Sequence, residues 1–196
     1  MDNFNIMIVG VGGQGTLLAS RILGAVALKK DYAVKLSEVH GMAQRGGSVV
    51  TYVKFGRKIH SPLIEKREAD ILLAFEELEA LRWTDYVKDE GMIIINNQKI
   101  EPMPVIIGKA KYPSEIVKTI SQKYKNVFTL DALKIALQCG NIKAVNIVLL
   151  GLMAAKTAIE KQVWDEALKE IVPEKLLEVN VEAFNAGYQA IQDWIV

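Results

Sequence analysis

The chain has 196 residues, 51% of them hydrophobic and 24% charged, and 24 Lys and Arg against 23 Asp and Glu leave a formal charge of +1. That composition supports a packed core and excludes disordered, collagen-like and low-complexity classes, while the near-neutral balance offers no electrostatic case for nucleic acid or an anionic membrane. One cysteine, Cys139, and two histidines, His40 and His60, exclude an intrachain disulfide, a cluster held by four thiolates of this chain and a cysteine-rich zinc site.

In chain order, Asn5–Val9 (NIMIV) is a short apolar run ending in Gly10, which predicts a buried central strand. The residues before it carry no basic segment, so no signal peptide is expected. Ile147–Ala155, the most apolar stretch, is far shorter than the ~20 residues that span a bilayer, and the expectation is a soluble, cytoplasmic chain. From Gln14 the spacing of Leu18, Ile22, Ala25, Val26 and Lys29 predicts a helix to about Lys30. Ala33–Glu38 and Ser48–Phe55 (SVVTYVKF) predict the next two strands. The link between them is too short for a helical crossover, so Ser48–Phe55 is expected to pair antiparallel near an edge.

Ile71–Phe75 followed by Glu76–Trp83 repeats the strand-then-helix order. Met92–Ile95, opened by Gly91, then Val105–Ile107 and Val127–Thr129 predict further strands, with a helix near Pro113–Lys123. This alternation predicts one α/β domain over residues 1–196: a doubly wound, Rossmann-like, mostly parallel sheet with a helical C-terminal third. In that third, Asp131 suits the N-cap of Ala132–Cys139, closed by Gly140. Ala144–Ala158 is apolar nearly all round and must be buried inside the fold or under a partner. Pro173 suits the first position of the last helix, where Leu177, Val181, Phe184, Tyr188, Ile191 and Ile195 recur at steps of 4, 3, 4, 3 and 4. That seam either packs on the sheet or meets another subunit.

The chemistry signal is Gly10-Val11-Gly12-Gly13-Gln14-Gly15, set between a predicted strand and a predicted helix. Glycines there let the backbone turn tightly, and the helix start at Gln14–Thr16 offers N–H groups and a positive dipole end to an anionic group. The spacing fits the dinucleotide pattern, and Glu38, 23 positions past Gly15, stands where a ribose carboxylate would. A free-standing NAD(P)- or flavin-binding protein is therefore one expectation, and glycines that merely allow close strand–helix packing are the other. A P-loop is poor, because Thr16 follows Gly15 where lysine is required.

The second constellation is Ser37–Ser48, SEVHGMAQRGGS, a glycine-rich loop carrying Glu38, His40, Gln44, Arg45, Gly46 and Gly47. It leaves the same sheet edge as the first loop. Arg45 can present a planar fork to a carboxylate or phosphate, or pair with Glu38, and His40 can act as acid or base near neutral pH. Lys54, Arg57 and Lys58 either add positive charge for phosphates or form a solvated strand end.

Both loops together, with Ile59-His60-Ser61-Pro62-Leu63-Ile64 and Glu68-Ala69-Asp70 before the next strand, resemble the gamma-type domain of 2-oxoacid:ferredoxin oxidoreductases. The His-Gly-Met-Ala-Gln-Arg-Gly-Gly version is most similar to the small beta subunits of the indolepyruvate branch. The resemblance implies a part of an enzyme that oxidatively decarboxylates arylpyruvates, forms an aryl-acetyl-CoA and reduces ferredoxin. It implies that thiamine diphosphate and iron–sulfur clusters of the 4Fe–4S type reside in a large alpha subunit, that this chain holds no cofactor, and that it is inactive alone. It also places Gly10, Gly12, Gly13, Gln14, Gly15, Thr16, Glu38, His40, Gln44, Arg45, Gly46 and Gly47 where substrate, coenzyme A or the partner approaches. No residue is expected to be catalytic, and the isolated chain is expected to self-associate through its orphaned face.

Overall fold

Long apolar runs need cover on both faces, and the sheet provides it in a computed structural model that describes residues 3–41 and 46–190. Among the described residues the strands are β1 (Asn3–Val11), β2 (Ala33–His40), β3 (Ser48–Gly56), β4 (Ala69–Ala74), β5 (Val87–Asn96) and β6 (Asn126–Leu130), ordered β2-β3-β1-β4-β5-β6. The helices are α1 (Thr16–Lys29), α2 (Glu77–Trp83), α3 (Met103–Ile106), α4 (Ile116–Lys123), α5 (Ala132–Gln138), α6 (Val145–Ala155), α7 (Lys161–Ile171) and α8 (Glu174–Gln189). Strands β1, β4, β5 and β6 are parallel, and β3 is antiparallel to both β1 and β2.

Successive side chains of one strand serve two cores. Ile6 and Ile8 of β1 join Val53, Leu73 and Ile94 beneath α1 and α5–α8, whereas Met7 and Val9 join Val50, Leu72 and Ile95 beneath α2 and α4. The chain leaves β1 through α1 on the first face and leaves β4 through α2 on the second, so the carboxyl ends of β1 and β4 form the switch point of the sheet. The antiparallel third strand is as the short link requires, one strand in from the edge. No described helix is long and apolar enough to cross a membrane.

One expected strand is a helix. Val105–Ile107 falls in and beside α3, because Pro102 and Pro104 fix φ and remove ladder donors, while Gly108 at φ 73° stops the turn. Other boundaries differ by up to three residues, except that β5 begins at Val87, five residues before the expected Met92. The Asp131 carboxylate caps α5 by accepting from Lys134 N at 2.9 Å, as expected, whereas Pro173 stands at the N-cap of α8 rather than inside it.

Helix α6 finds its cover within the chain: Asn146 through Met153 and Ala154 are all buried. Of the two expected covers for this stretch, burial inside the fold is the one the structure shows. The seam of α8 packs the same way at Leu177, Phe184 and Tyr188, and Ile191 and Ile195 lie outside the described residues. The two helices touch backbone to backbone at reciprocal glycines. A Cβ on Gly151 would stand 2.1 Å from Phe184 O, and one on Gly187 would stand 2.0 Å from Val148 O.

Gly151→Ala and Gly187→Ala should each lower the thermal midpoint by about 3–10 °C, because the helices must separate at an overpacking cost of ~1–3 kcal/mol. Gly24→Ala in α1, whose Cβ would meet Leu36 Cδ1 at an ordinary 3.5 Å, should instead hold or raise it. Equal behaviour of all three in a melting series would refute the close-contact account.

Candidate functional site

The first glycine loop joins β1 to α1 at the switch point, and Gln14 fills it. Its Oε1 accepts from Val11 N at 2.7 Å, and its Nε2 donates to Phe75 O at 2.9 Å and to Gln98 Oε1 at 3.1 Å. Asn96 Nδ2 donates to the same Phe75 carbonyl at 3.1 Å, and Asn96 Oδ1 accepts from Ala132 N. The glutamine thus stitches the carboxyl ends of β1, β4 and β5 together. Gly10 is required by this arrangement, since a Cβ there would lie 2.8 Å from Gln14 Oε1 and 3.1 Å from Phe75 Cβ. Gly15 is required by another: Asn146 at the start of α6 donates to its carbonyl at 3.1 Å, and a Cβ would lie 2.7 Å from Asn146 Nδ2.

The second loop is zipped to the first. Gly12 N donates to Gly47 O at 2.8 Å, and Gly46 N donates to Gly12 O at 3.4 Å. Ser48, at the root of this loop, donates to the buried Glu79 carboxylate, whose other oxygen accepts from Arg82 at 2.7 Å. Gly13 (φ 102°), Gly46 (φ 77°) and Gly41 face open space. The expected residues Gln44 and Arg45 lie in 42–45, outside the described residues. A cavity of about 330 Å³ opens beside the loops, lined by Gly12, Gly13, Gly15, Thr16, Leu17, Glu38, His40 and Val49.

Inside that cavity Glu38 Oε2 accepts from Thr16 Oγ1 at 3.3 Å and from Thr51 Oγ1 at 3.1 Å. The positive end of α1 already faces the chain's own carboxylate, which opposes a phosphate at the same place. The dinucleotide geometry fails on a second count. With β3 between β1 and β2, Glu38 stands two strand spacings from β1, about 10 Å, where a ribose carboxylate stands one spacing away. Strand β3 also carries Lys54, Arg57 and Lys58 to the opposite sheet edge, where Lys54 donates to Leu63 O at 3.0 Å, so they cannot assist the loops.

The sequence reading missed the buried carboxylates of α2. Glu76 caps the helix by accepting from Glu79 N at 2.9 Å, and its other oxygen accepts from Ile100 N at 3.0 Å and from the Tyr112 hydroxyl. Burial first, and then the hydrogen bond to Glu76, push the Tyr112 phenol well above its ordinary 10.0. Burial also raises Glu77 against the lowering pull of Lys99. A Glu directly after a buried run and directly before a helix was the available signal, since that position is an N-cap. The residues do not fit an iron–sulfur cluster or other metal centre: Cys139 is a single thiol raised by burial, and no group of three or more His, Cys, Asp or Glu converges among the described residues.

Tyr112→Phe leaves Glu76 one donor short and Leu78 N without its acceptor, so it should cost ~1–3 kcal/mol at pH 8. The raised phenol keeps its proton in the fold, so its stabilising effect is whole below pH 10.0 and is lost as pH rises above that value. Melting curves at pH 8 and pH 11 should therefore show the gap between variant and parent narrowing; a constant gap would refute it.

A family profile described as pyruvate ferredoxin/flavodoxin oxidoreductase matches residues 5–190. The indolepyruvate oxidoreductase subunit IorB of Pyrococcus horikoshii is 38% identical over 200 residues, covering 100% of this chain and 99% of that protein. Its counterpart in Methanothermobacter thermautotrophicus is 40% identical over 192 residues, covering 96% of this chain and 97% of that one. The crystal structure of a keto/oxoacid ferredoxin oxidoreductase gamma subunit from Geobacter sulfurreducens has the same fold, with a TM-score of 0.72 at 23% identity over 97% of this chain and 99% of that one. The chain belongs to the pyruvate ferredoxin/flavodoxin oxidoreductase family.

Proposed function

We propose that this chain is the small subunit of an indolepyruvate:ferredoxin oxidoreductase, acting in the cytoplasm as one gamma-type domain. The complex converts an arylpyruvate and coenzyme A to an aryl-acetyl-CoA and CO2, and the two electrons released pass to ferredoxin. The observation that carries this is the identity of 38% and 40% along the whole chain to subunits bearing that name. Thiamine diphosphate in the larger subunit supplies the decarboxylation chemistry, and 4Fe–4S clusters there take the electrons. A lone half-buried thiol in this chain is consistent with that division of labour.

What this chain contributes is a surface. Gly13, Gly41 and Gly46 present backbone with no Cβ in the way, on loops held by Gln14, Asn146 and Glu79. Such a surface lets a second polypeptide approach to backbone distance, beside the rim formed by Glu38 and His40. Segment 42–45 supplies Gln44 and Arg45 to the same approach, with Arg45 pairing an anion of the substrate, of coenzyme A or of the partner.

The test is reconstitution. Co-expressed with the larger subunit and purified anaerobically, the complex should reduce ferredoxin with an arylpyruvate and coenzyme A, and the isolated chain should not. Arg45→Ala in the complex should lower kcat/KM at least tenfold while the melting midpoint of the isolated chain stays put. An isolated chain that binds NADH in calorimetry, or a complex inert to arylpyruvates, would overturn the proposal.

A further inference from the structure

Strand β2 is a bare edge of the sheet. It pairs with β3 along its whole length and has no strand on its other side among the described residues. Natural edges are blunted by proline, by a bulge or by shortness. Ala33–His40 has no proline, and its register with β3 is unbroken from Ala33 opposite Gly56 to His40 opposite Val49. At 8 residues it is also longer than a typical strand. None of its residues is buried, and a row of backbone N–H and C=O groups is left facing outward.

Above that edge runs a stripe of α1. Leu17, Arg21, Gly24 and Leu28 recur at helical spacing and share one side of the helix. That side faces the edge, because Leu36 of β2 lies over Gly24, where a Cβ would stand 3.5 Å from Leu36 Cδ1. Leu17, Leu28 and Leu36 are 48%, 60% and 42% exposed. Single exposed leucines are ordinary, but three of them beside one unpaired strand make a continuous face. A strand of this length runs about 26 Å under a helix about 10 Å across. Pairing such a face with its own copy removes on the order of 1,000–1,500 Å² from water, the range of a specific dimer.

We infer that this face is a twofold dimer interface, in which β2 pairs antiparallel with β2 of a second copy, Leu36 against Leu36. It does not depend on the subunit role proposed above. A second copy is the occupant because the face complements itself. A twofold axis normal to the sheet keeps each residue on its own side and sets Ala33 against Val39, Val34 against Glu38 and Lys35 against Ser37. No like charges then stand opposite, and apolar side chains meet at the axis. An axis at Lys35 would oppose two lysines, and one at Ser37 would set Leu36 against the Glu38 carboxylate. The helices agree with the strands. Leu17 and Leu28 stand about 10 and 6 Å along α1 on either side of Gly24, so the axis brings Leu17 of one copy beside Leu28 of the other.

The test is the mass of the full chain in sedimentation at micromolar concentration. The parent should sediment at twice its 21.8 kDa, and Leu17→Glu and Leu28→Lys should each weaken the dimer at least 100-fold. Both changes in one chain should restore it to within tenfold, because opposite charges then meet across the axis. Both side chains face solvent, so every variant should keep the parent's circular dichroism spectrum. Leu137→Glu, at an exposed leucine of α5, should stay dimeric. Leu36→Cys in a Cys139→Ser background should link two copies under oxidised glutathione, since opposed residues of paired strands lie within disulfide reach at ~4.5–5.5 Å between Cα atoms. A parent that sediments as a single chain overturns the inference, and Leu28→Lys then losing affinity for the larger subunit makes that subunit the occupant instead. A dimer that survives both single changes, a double variant that stays apart, or no link at Leu36 overturns this face as the interface.

Discussion

The side chain of Gln14 occupies the place where a doubly wound sheet ordinarily receives its ligand. Three hydrogen bonds aim it inward, across the ends of β1 and β4 toward the strand that follows. The crevice outside the carboxyl ends, which in this architecture cradles a nucleotide, is here closed by the protein's own amide. Gly10 has no side chain because the glutamine lies over it, and the loop beyond is held outward as a fixed platform. A fold built to enclose a small molecule thus becomes one that presents a face, and the asparagine from α6 and the carboxylates of α2 brace that face from behind.

Strand β3 completes the change of use. Slipped antiparallel between β1 and β2, it brings the second glycine loop over the first and sends the basic end of its hairpin to the other edge. It also moves Glu38 out of ribose range and into contact with the Thr16 hydroxyl at the head of α1 and the Thr51 hydroxyl of β3 itself. One inserted strand therefore accounts both for the union of the two loops and for the loss of the dinucleotide geometry.

Much of this was legible in the residues. Continuous apolar runs marked the strands buried on both faces, the short link before Ser48 required an antiparallel return, and Asp131 and Gly140 marked the ends of a helix. The two glycine loops could be seen to leave one edge. Their bonding could not, because Gly12 meets Gly47 through backbone groups that every residue possesses. Gln14 looked like a ligand-facing residue, since nothing local says that a polar side chain will fold back onto a strand 61 residues away. The apolar run at Val105–Ile107 reads as a strand by its β-branched content alone, and the flanking prolines and the left-handed Gly108 turn it into a helix instead. The packing of α6 on α8 was ambiguous for a similar reason: an apolar stripe is the same whether its cover comes from the chain or from another molecule.

The glycine-to-glycine contact of α6 with α8 also sets a hazard during synthesis. Helix α6 is apolar nearly all round, and its cover comes in part from a helix whose touching residues, Phe184 and Tyr188, follow Ala155 by about thirty positions. At translation rates of ~5–20 residues per second, the stretch has no such cover for roughly 2–7 s. During that interval the apolar side that α8 later covers is open to association with other chains. A chain truncated before α8 would keep α6 and lose that cover.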